Sequence, residues 1–237
     1  MAEKKYTPMM QHYLKMKEEN PDAILFYRLG DFYEMFFDDA KLASQELDLV
    51  LTGRSAGVEE KVPMCGIPFH AANSYISRLV KKGYKVAICE QLEDPSSAKG
   101  LVDRGIVKII TPGTYMDATM DAKSTNYMAS CSVSSFEITV IYCELSTGEL
   151  KYQTLQRSLV ALQKALLEQN VSELVCPMTM DKKWIAALEE MDTMLVSKHK
   201  KANIDLQDLP LLNEIESESL KEAFALLMAY LKDTQKQ

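Results

Sequence analysis

Phe32 and Glu34 follow a Gly30-Asp31 break in the run Arg28-Leu29-Gly30-Asp31-Phe32-Tyr33-Glu34-Met35-Phe36. An aromatic two residues ahead of a carboxylate, set where the chain turns, suits a wedge that stacks on a nucleobase while the acid hydrogen-bonds the edge of that base. The same run also fits a plain structural role. Phe32, Phe36 and Phe37 have the spacing of core residues on an amphipathic helix. Phe36 reads that way, whereas Phe32 sits beside the Gly-Asp break, where a side chain projects.

Other chemistries lack their residues. The sequence holds no G-x-x-x-x-G-K-[ST] for nucleotide phosphates and no G-x-G-x-x-G for a dinucleotide. His12, His70 and His199 stand in separate contexts, with no H-x-x-x-H or Cys/His pair to bind zinc. Five scattered cysteines without a C-x-x-C pair fit the reduced thiols of a cytoplasmic protein. The N-terminal Met-Ala-Glu-Lys-Lys lacks the apolar stretch of a signal peptide, and no apolar run approaches the ~18 residues of a membrane span.

The elements that must position Phe32 and Glu34 follow from patterning. With 237 residues, 47% of them hydrophobic and 26% charged, the chain has the composition of one large or two modest globular domains. Thr7-Pro8 opens a helix that Asn20-Pro21 ends, and residues 23–29 form a strand-length apolar run. Apolar residues at helical spacing predict a helix over 33–47, so that Asp31-Phe32-Tyr33-Glu34 straddles a strand-to-helix junction. Strands over 49–52, 63–67, 84–91 and 107–111, with a helix over 73–82, complete a mixed α/β domain over residues 1–112. Residues 113–125, rich in Pro, Gly, Thr, Asp and Ser, read as a linker.

Residues 126–237 have a different order. Strands over 127–133, 136–143 and 149–154, joined by tight turns, form an antiparallel meander. A helix over 159–169, a strand over 173–176, a helix over 183–191, a strand over 194–196 and a last helix from 217 to about 232 follow. This is the element order of ribonuclease H-like folds. A nuclease of that fold needs paired carboxylates for metal ions, yet the strand over 127–133 contains no acid. Glu137, Glu144 and Glu149 read as exposed strand-edge carboxylates, so neither a metal site nor catalysis is expected. The net charge of −7 is uneven: residues 1–112 carry 15 basic and 16 acidic side chains, and residues 113–237 carry 12 and 18. Coating nucleic acid by bulk electrostatics is therefore excluded, and any contact must be local.

The run Gly30-Asp31-Phe32-Tyr33-Glu34-Met35-Phe36, with Asp38-Asp39-Ala40 behind it, resembles the mismatch-reading motif of the MutS DNA mismatch-repair proteins. Three more blocks resemble that family in its order: Pro63-Met64-Cys65-Gly66-Ile67-Pro68-Phe69-His70-Ala71, Val86-Ala87-Ile88-Cys89-Glu90-Gln91 and Thr111-Pro112-Gly113-Thr114. The resemblance implies an α/β chain of two domains, a mixed α/β mismatch-recognition domain followed by a ribonuclease H-like connector domain. It also implies an N-terminal fragment of a longer protein, whose lever, clamp and ATPase domains, with ATP and Mg as cofactors, lie outside these residues.

Carried over to this sequence, Phe32 matches the family's intercalating Phe and Glu34 the Glu that hydrogen-bonds the base. Arg54 sits where the family has a backbone-contacting Arg, and Leu29 and Met64 occupy positions flanking the groove. Lys99, with Ser96 and Ser97, lies in a polar loop that could reach phosphates or stay solvated. The implied partners are mismatched duplex DNA and a MutL-like repair protein bound through the connector, with a dimer in the full-length form and a monomer for this portion. A non-catalytic interaction and relay module that binds such a partner is the alternative reading. Unstacking a base step costs a few kcal/mol, least where pairing is already defective, so a wedge discriminates by deformability. Glu34 is misplaced beside intact duplex. It becomes favourable when a displaced base offers a donor, or when the acid carries a proton and donates it.

Overall fold

The computed structural model describes residues 6–93, 102–116, 126–200 and 217–236. They divide into two compact units that meet in sequence between Thr111 and Pro112.

The first unit is built on a six-stranded sheet. Helix α1 (Pro8–Glu19) has Pro8 in its first turn, where a missing N–H costs nothing, and precedes strand β1 (Ala23–Leu29). Strand β2 (Phe32–Phe36), helix α2 (Phe37–Leu47), strands β3 (Thr52–Arg54) and β4 (Val62–Pro68), a 3-10 turn (Phe69–Ala71), helix α3 (Ala72–Val80) and strands β5 (Lys85–Gln91) and β6 (Arg104–Ile110) follow. The strand order is β3-β4-β2-β1-β5-β6. β1 lies parallel to β5, and the other pairs are antiparallel. Alternation divides the side chains between two faces. Leu25, Tyr27, Phe36, Ala87 and Cys89 pack with Met10, Tyr13 and Met16 of α1. On the opposite face, Cys65 donates its S–H to the Ala40 carbonyl, which seats α2 there.

The predicted helix over 33–47 is half wrong. Residues 32–36 continue the sheet, pairing with both β1 and β4, and the helix starts only at Phe37. Phe37 makes the change of direction with φ +55°, a conformation usually left to glycine or asparagine. Its ring meets Tyr6 edge-on with centroids 5.9 Å apart. The junction is further held by buried Asp39, whose carboxylate accepts the Leu25 N–H (2.9 Å) and the Tyr13 hydroxyl (3.3 Å) and pairs with Lys17 (2.8 Å).

The second unit has a five-stranded sheet of order β11-β10-β7-β8-β9. β7 (Tyr127–Val133), β8 (Glu137–Glu144) and β9 (Glu149–Gln156) form the expected antiparallel meander. Helix α4 (Leu159–Glu168), β10 (Val171–Pro177), helix α5 (Lys182–Glu189) and β11 (Leu195–His199) then add two strands parallel to β7. Leu162, Leu166, Ile185 and Leu188 of α4 and α5 pack on Ala129, Cys131, Val140 and Leu174. Helix α6 (Glu218–Gln235) covers the other face, with Phe224, Leu227 and Tyr230 against Met128, Ile141 and Val175.

The linker expected over 113–125 is shorter at its start. Gly113 donates its N–H to the wholly buried carboxylate of Glu173 (3.0 Å), and Thr114 is buried, so both belong to the second unit. Only glycine fits there: a Cβ on Gly113 would stand 2.7 Å from Met128 Cε and 2.9 Å from Glu173 Cβ. Residues 117–125 lie outside the described residues. Glu144 is a second correction. It is buried, not an exposed edge carboxylate, and accepts hydrogen bonds from the Ser146 and Thr147 hydroxyls in the β8–β9 turn (2.8 and 2.6 Å). Among the described residues no group of three or more His, Cys, Asp or Glu is placed to hold a metal ion. No helix among them is long and apolar enough to cross a membrane.

Candidate functional site

The β1–β2 hairpin closes through two residues, Gly30 and Asp31, with Leu29 opposite Phe32. Gly30 takes φ +57°, a turn conformation in which glycine carries no Cβ penalty. Because β2 is a strand and not a helix start, its side chains alternate. Tyr33 and Met35 are buried on the α2 side, while Phe32, Glu34 and Phe36 share the other face. Phe36 disappears under α1, where its ring lies edge-on to Tyr13 at 4.9 Å. Phe32, at the open end, is 48% exposed. The two residues singled out by spacing therefore stand side by side along one strand.

Cross-strand register brings in three more of the sequence candidates. Leu29 neighbours Phe32 on β1, and Met64 lies opposite both Phe36 and Thr52. Both are partly buried against the α1 cluster, Leu29 beside Phe32 and Met64 farther along the same face at Phe36. Arg54, on edge strand β3, reaches across β4 and forms an ion pair with Glu34 through Nη1 and Oε2. The reach is diagonal, since on β4 Glu34 lies opposite Gly66 and Arg54 opposite Val62. A Cβ on Gly66 would stand 3.3 Å from the Tyr33 carbonyl oxygen, a tight approach, and in ordinary contact with Glu34 Cγ at 3.5 Å. Glu34 retains 15% of its side-chain exposure and Arg54 36%, so the pair faces solvent from the Arg54 side. Lys99, Ser96 and Ser97 lie outside the described residues.

Sequence reasoning missed residues that hold these groups in place. Arg104 is buried, donates from Nε to the Arg28 carbonyl (2.9 Å) and from Nη1 to the Val102 carbonyl (2.8 Å), and lies 5.4 Å from the Tyr27 ring centre. It ties β1 to β6 beside the hairpin. Its only sequence signal was an arginine at the entrance to a β-branched run. Tyr33, beneath Phe32, donates to Glu90. Burial, reinforced by that carboxylate, pushes the Tyr33 hydroxyl well above the ordinary tyrosine range, so it stays a donor at neutral pH. Taken together, these residues set a half-exposed ring, a neutralised carboxylate and partly buried apolar side chains on one rigid sheet face. Such a surface can stack on a flat group and hydrogen-bond its edge.

Residues 7–119 match the family model described as MutS domain I. The whole chain is 44% identical over 243 residues to the DNA mismatch repair protein MutS of Clostridium tetani, which covers 98% of the chain and 27% of that relative. It is 45% identical to the protein of the same name from Listeria monocytogenes (98% and 27% covered) and to that from Bacillus licheniformis (98% and 26%). The chain thus spans about a quarter of the length of the curated relatives it matches.

Proposed function

Since this chain belongs to the MutS family, with domain I in residues 7–119, we propose that the open end of its first sheet senses a mispaired or unpaired base in duplex DNA. The observation that carries the reading is the half-exposed Phe32 ring beside Glu34 on one face of β2. Phe32 enters a base step from the groove side and unstacks it. A defective pair opposes that entry least, which makes the wedge selective without any base code.

Glu34 takes part by exchanging partners. In the free protein Arg54 neutralises it, so Glu34 does not meet a polyanion as a bare negative charge. Next to the backbone the Arg54 guanidinium gains a phosphate oxygen as a second acceptor, and a Glu34 oxygen becomes available to a donor on the displaced base. Chemistry is not part of this function: the site binds and deforms.

Glu34→Ala is expected to lower the preference for a G·T or single-nucleotide-loop duplex far more than it lowers affinity for perfect duplex. Titrations of both duplexes with a full-length MutS carrying this sequence measure the two effects. Equal losses on both duplexes would reduce Glu34 to a general contact and remove it from base reading. In the same protein Arg54→Met should weaken both duplexes alike and cut the salt slope by about 1.

For the second unit we propose a repair partner of the MutL type. Its support is the acidic balance of residues 113–237 and edge strand β9, which leaves Leu150 and Tyr152 exposed. Retention of the partner by residues 112–237 alone, lost on Tyr152→Glu, is the expected outcome. Equal retention by that variant would move the contact elsewhere.

A further inference from the structure

The turn that carries Phe32 is gripped from the face of the sheet that Phe32 does not occupy. Alternation along β1 points Arg28 to the α2 side, opposite Tyr33. There its guanidinium stands 3.6 Å from the centre of the Phe69 ring, and its Nε donates to the Gly30 carbonyl at 2.5 Å. Nη1 of Arg28 lies 3.6 Å from Glu90 Oε2, and Glu90 also accepts the Tyr33 hydroxyl. The Phe69 N–H in turn donates to the Asp31 carbonyl at 2.9 Å. Each of the two turn residues thus has its carbonyl committed, one to Arg28 and the other to Phe69, and the two holders are stacked on one another.

This arrangement exceeds what a hairpin end needs. Terminal residues of a two-residue turn normally leave their carbonyls to water and fray. Phe32 is the first residue of β2, so any swing of the turn swings its ring. A wedge that swings yields to the base stack instead of opening it, and ordering it on contact would subtract from binding. Arg28 is suited to the task, because a planar guanidinium can stack and donate at once, which an ammonium cannot.

We infer that Arg28 and Phe69 are positioning residues that pre-orient Phe32 from behind, though neither lies on the face that meets the base. The inference rests on the reading of Phe32 as the wedge, and two measurements separate the two. In the 237-residue chain, Phe32→Trp combined with Trp184→Phe places one fluorophore at the wedge. The fast component of its anisotropy decay is expected to rise about twofold in amplitude when Arg28→Met or Phe69→Leu is added, since both keep apolar bulk while the first removes the bond to the Gly30 carbonyl and the second the ring on which Arg28 is stacked. Unchanged amplitude in both variants overturns the inference.

The second measurement uses a full-length MutS carrying this sequence. Arg28→Met should lower the ratio of mismatched to perfect duplex affinity about tenfold with Phe32 present and leave it unchanged in a Phe32→Ala background, as residues acting through one group do. Equal losses in both backgrounds would mean that Arg28 acts on DNA by another route, and would overturn the inference. If Phe32→Ala by itself left the ratio intact, the wedge reading would fall, while the anisotropy would still report whether Arg28 and Phe69 orient position 32.

Discussion

Phe32→Ala is expected to abolish the preference of a full-length MutS carrying this sequence for mismatched over perfect duplex, while binding to perfect duplex changes little. Removing one aromatic that stacks on a base typically costs ~1 to 3 kcal/mol. The loss here should be larger, more than about a hundredfold in the affinity ratio, because a kink held open by the ring collapses with it. The geometry explains the selectivity of the effect. Phe32 is 48% exposed and packs under nothing, so its truncation removes contact surface without a core cavity, and the fold should melt within about 0.5 kcal/mol of the parent. Competition binding with G·T, single-nucleotide-loop and perfect duplexes provides the measurement. Retention of the full preference by Phe32→Ala would remove the wedge and the whole reading with it.

Glu173→Ala should produce the largest loss of stability. The carboxylate is fully buried and accepts from the Ser197 hydroxyl (2.6 Å), the Tyr230 hydroxyl (2.5 Å) and the Gly113 N–H (3.0 Å). It gathers β10, β11, α6 and the chain entering the second unit at a single point. Truncation leaves three buried donors without that acceptor and opens a hole beside Met128, so about 3 to 5 kcal/mol of unfolding free energy should go. Glu173→Gln keeps one carbonyl oxygen for the hydroxyls and should cost about half as much, because its amide meets the Gly113 donor with another donor. Trp184, the only tryptophan in the chain, packs in this unit, so its fluorescence during urea unfolding follows the right domain. A midpoint for Glu173→Ala equal to the parent's would show that the buried network contributes nothing net.

Much of the architecture can be read from the sequence because its boundaries are punctuated. Thr7-Pro8 and Asn20-Pro21 bracket α1, and Gly148 takes φ +74° in the turn before β9. The meander followed by helix and strand alternation emerges in the expected order. The start of α2 resists such reading for a physical reason. Phe32-Tyr33-Glu34-Met35-Phe36 has aromatics on both faces, so a strand covered on both sides imitates helical spacing. The reversal at Phe37 then uses a bulky residue at positive φ, with no Gly or Asn to announce it. Gly113 and Thr114 resemble linker because their residue types are those of turns, yet Gly113 is there for close approach to Met128 and Glu173.

The site divides in the same way. Phe32, Glu34, Arg54, Leu29 and Met64 are separate candidates in the sequence, and only cross-strand register puts them on one surface. The Glu34–Arg54 pair joins residues twenty positions apart in sequence, and no local pattern encodes it. Arg28, Phe69 and Arg104 act through the backbone of the hairpin, which composition does not register.

The two-residue link at Gly30-Asp31 has a consequence for how this sequence can change over time. Whether a β2 side chain looks outward or inward depends on odd or even position, counted from that link. A single inserted or deleted codon there would send Tyr33 and Met35 outward and turn Phe32 and Glu34 toward α2. Every residue of the site would survive the event, and the site would not. Between Arg54 and Val62, where the chain crosses from β3 to β4 outside either strand, length can drift without disturbing parity. Selection on the hairpin therefore acts on spacing as strictly as on side-chain identity, and a substitution count overlooks that constraint.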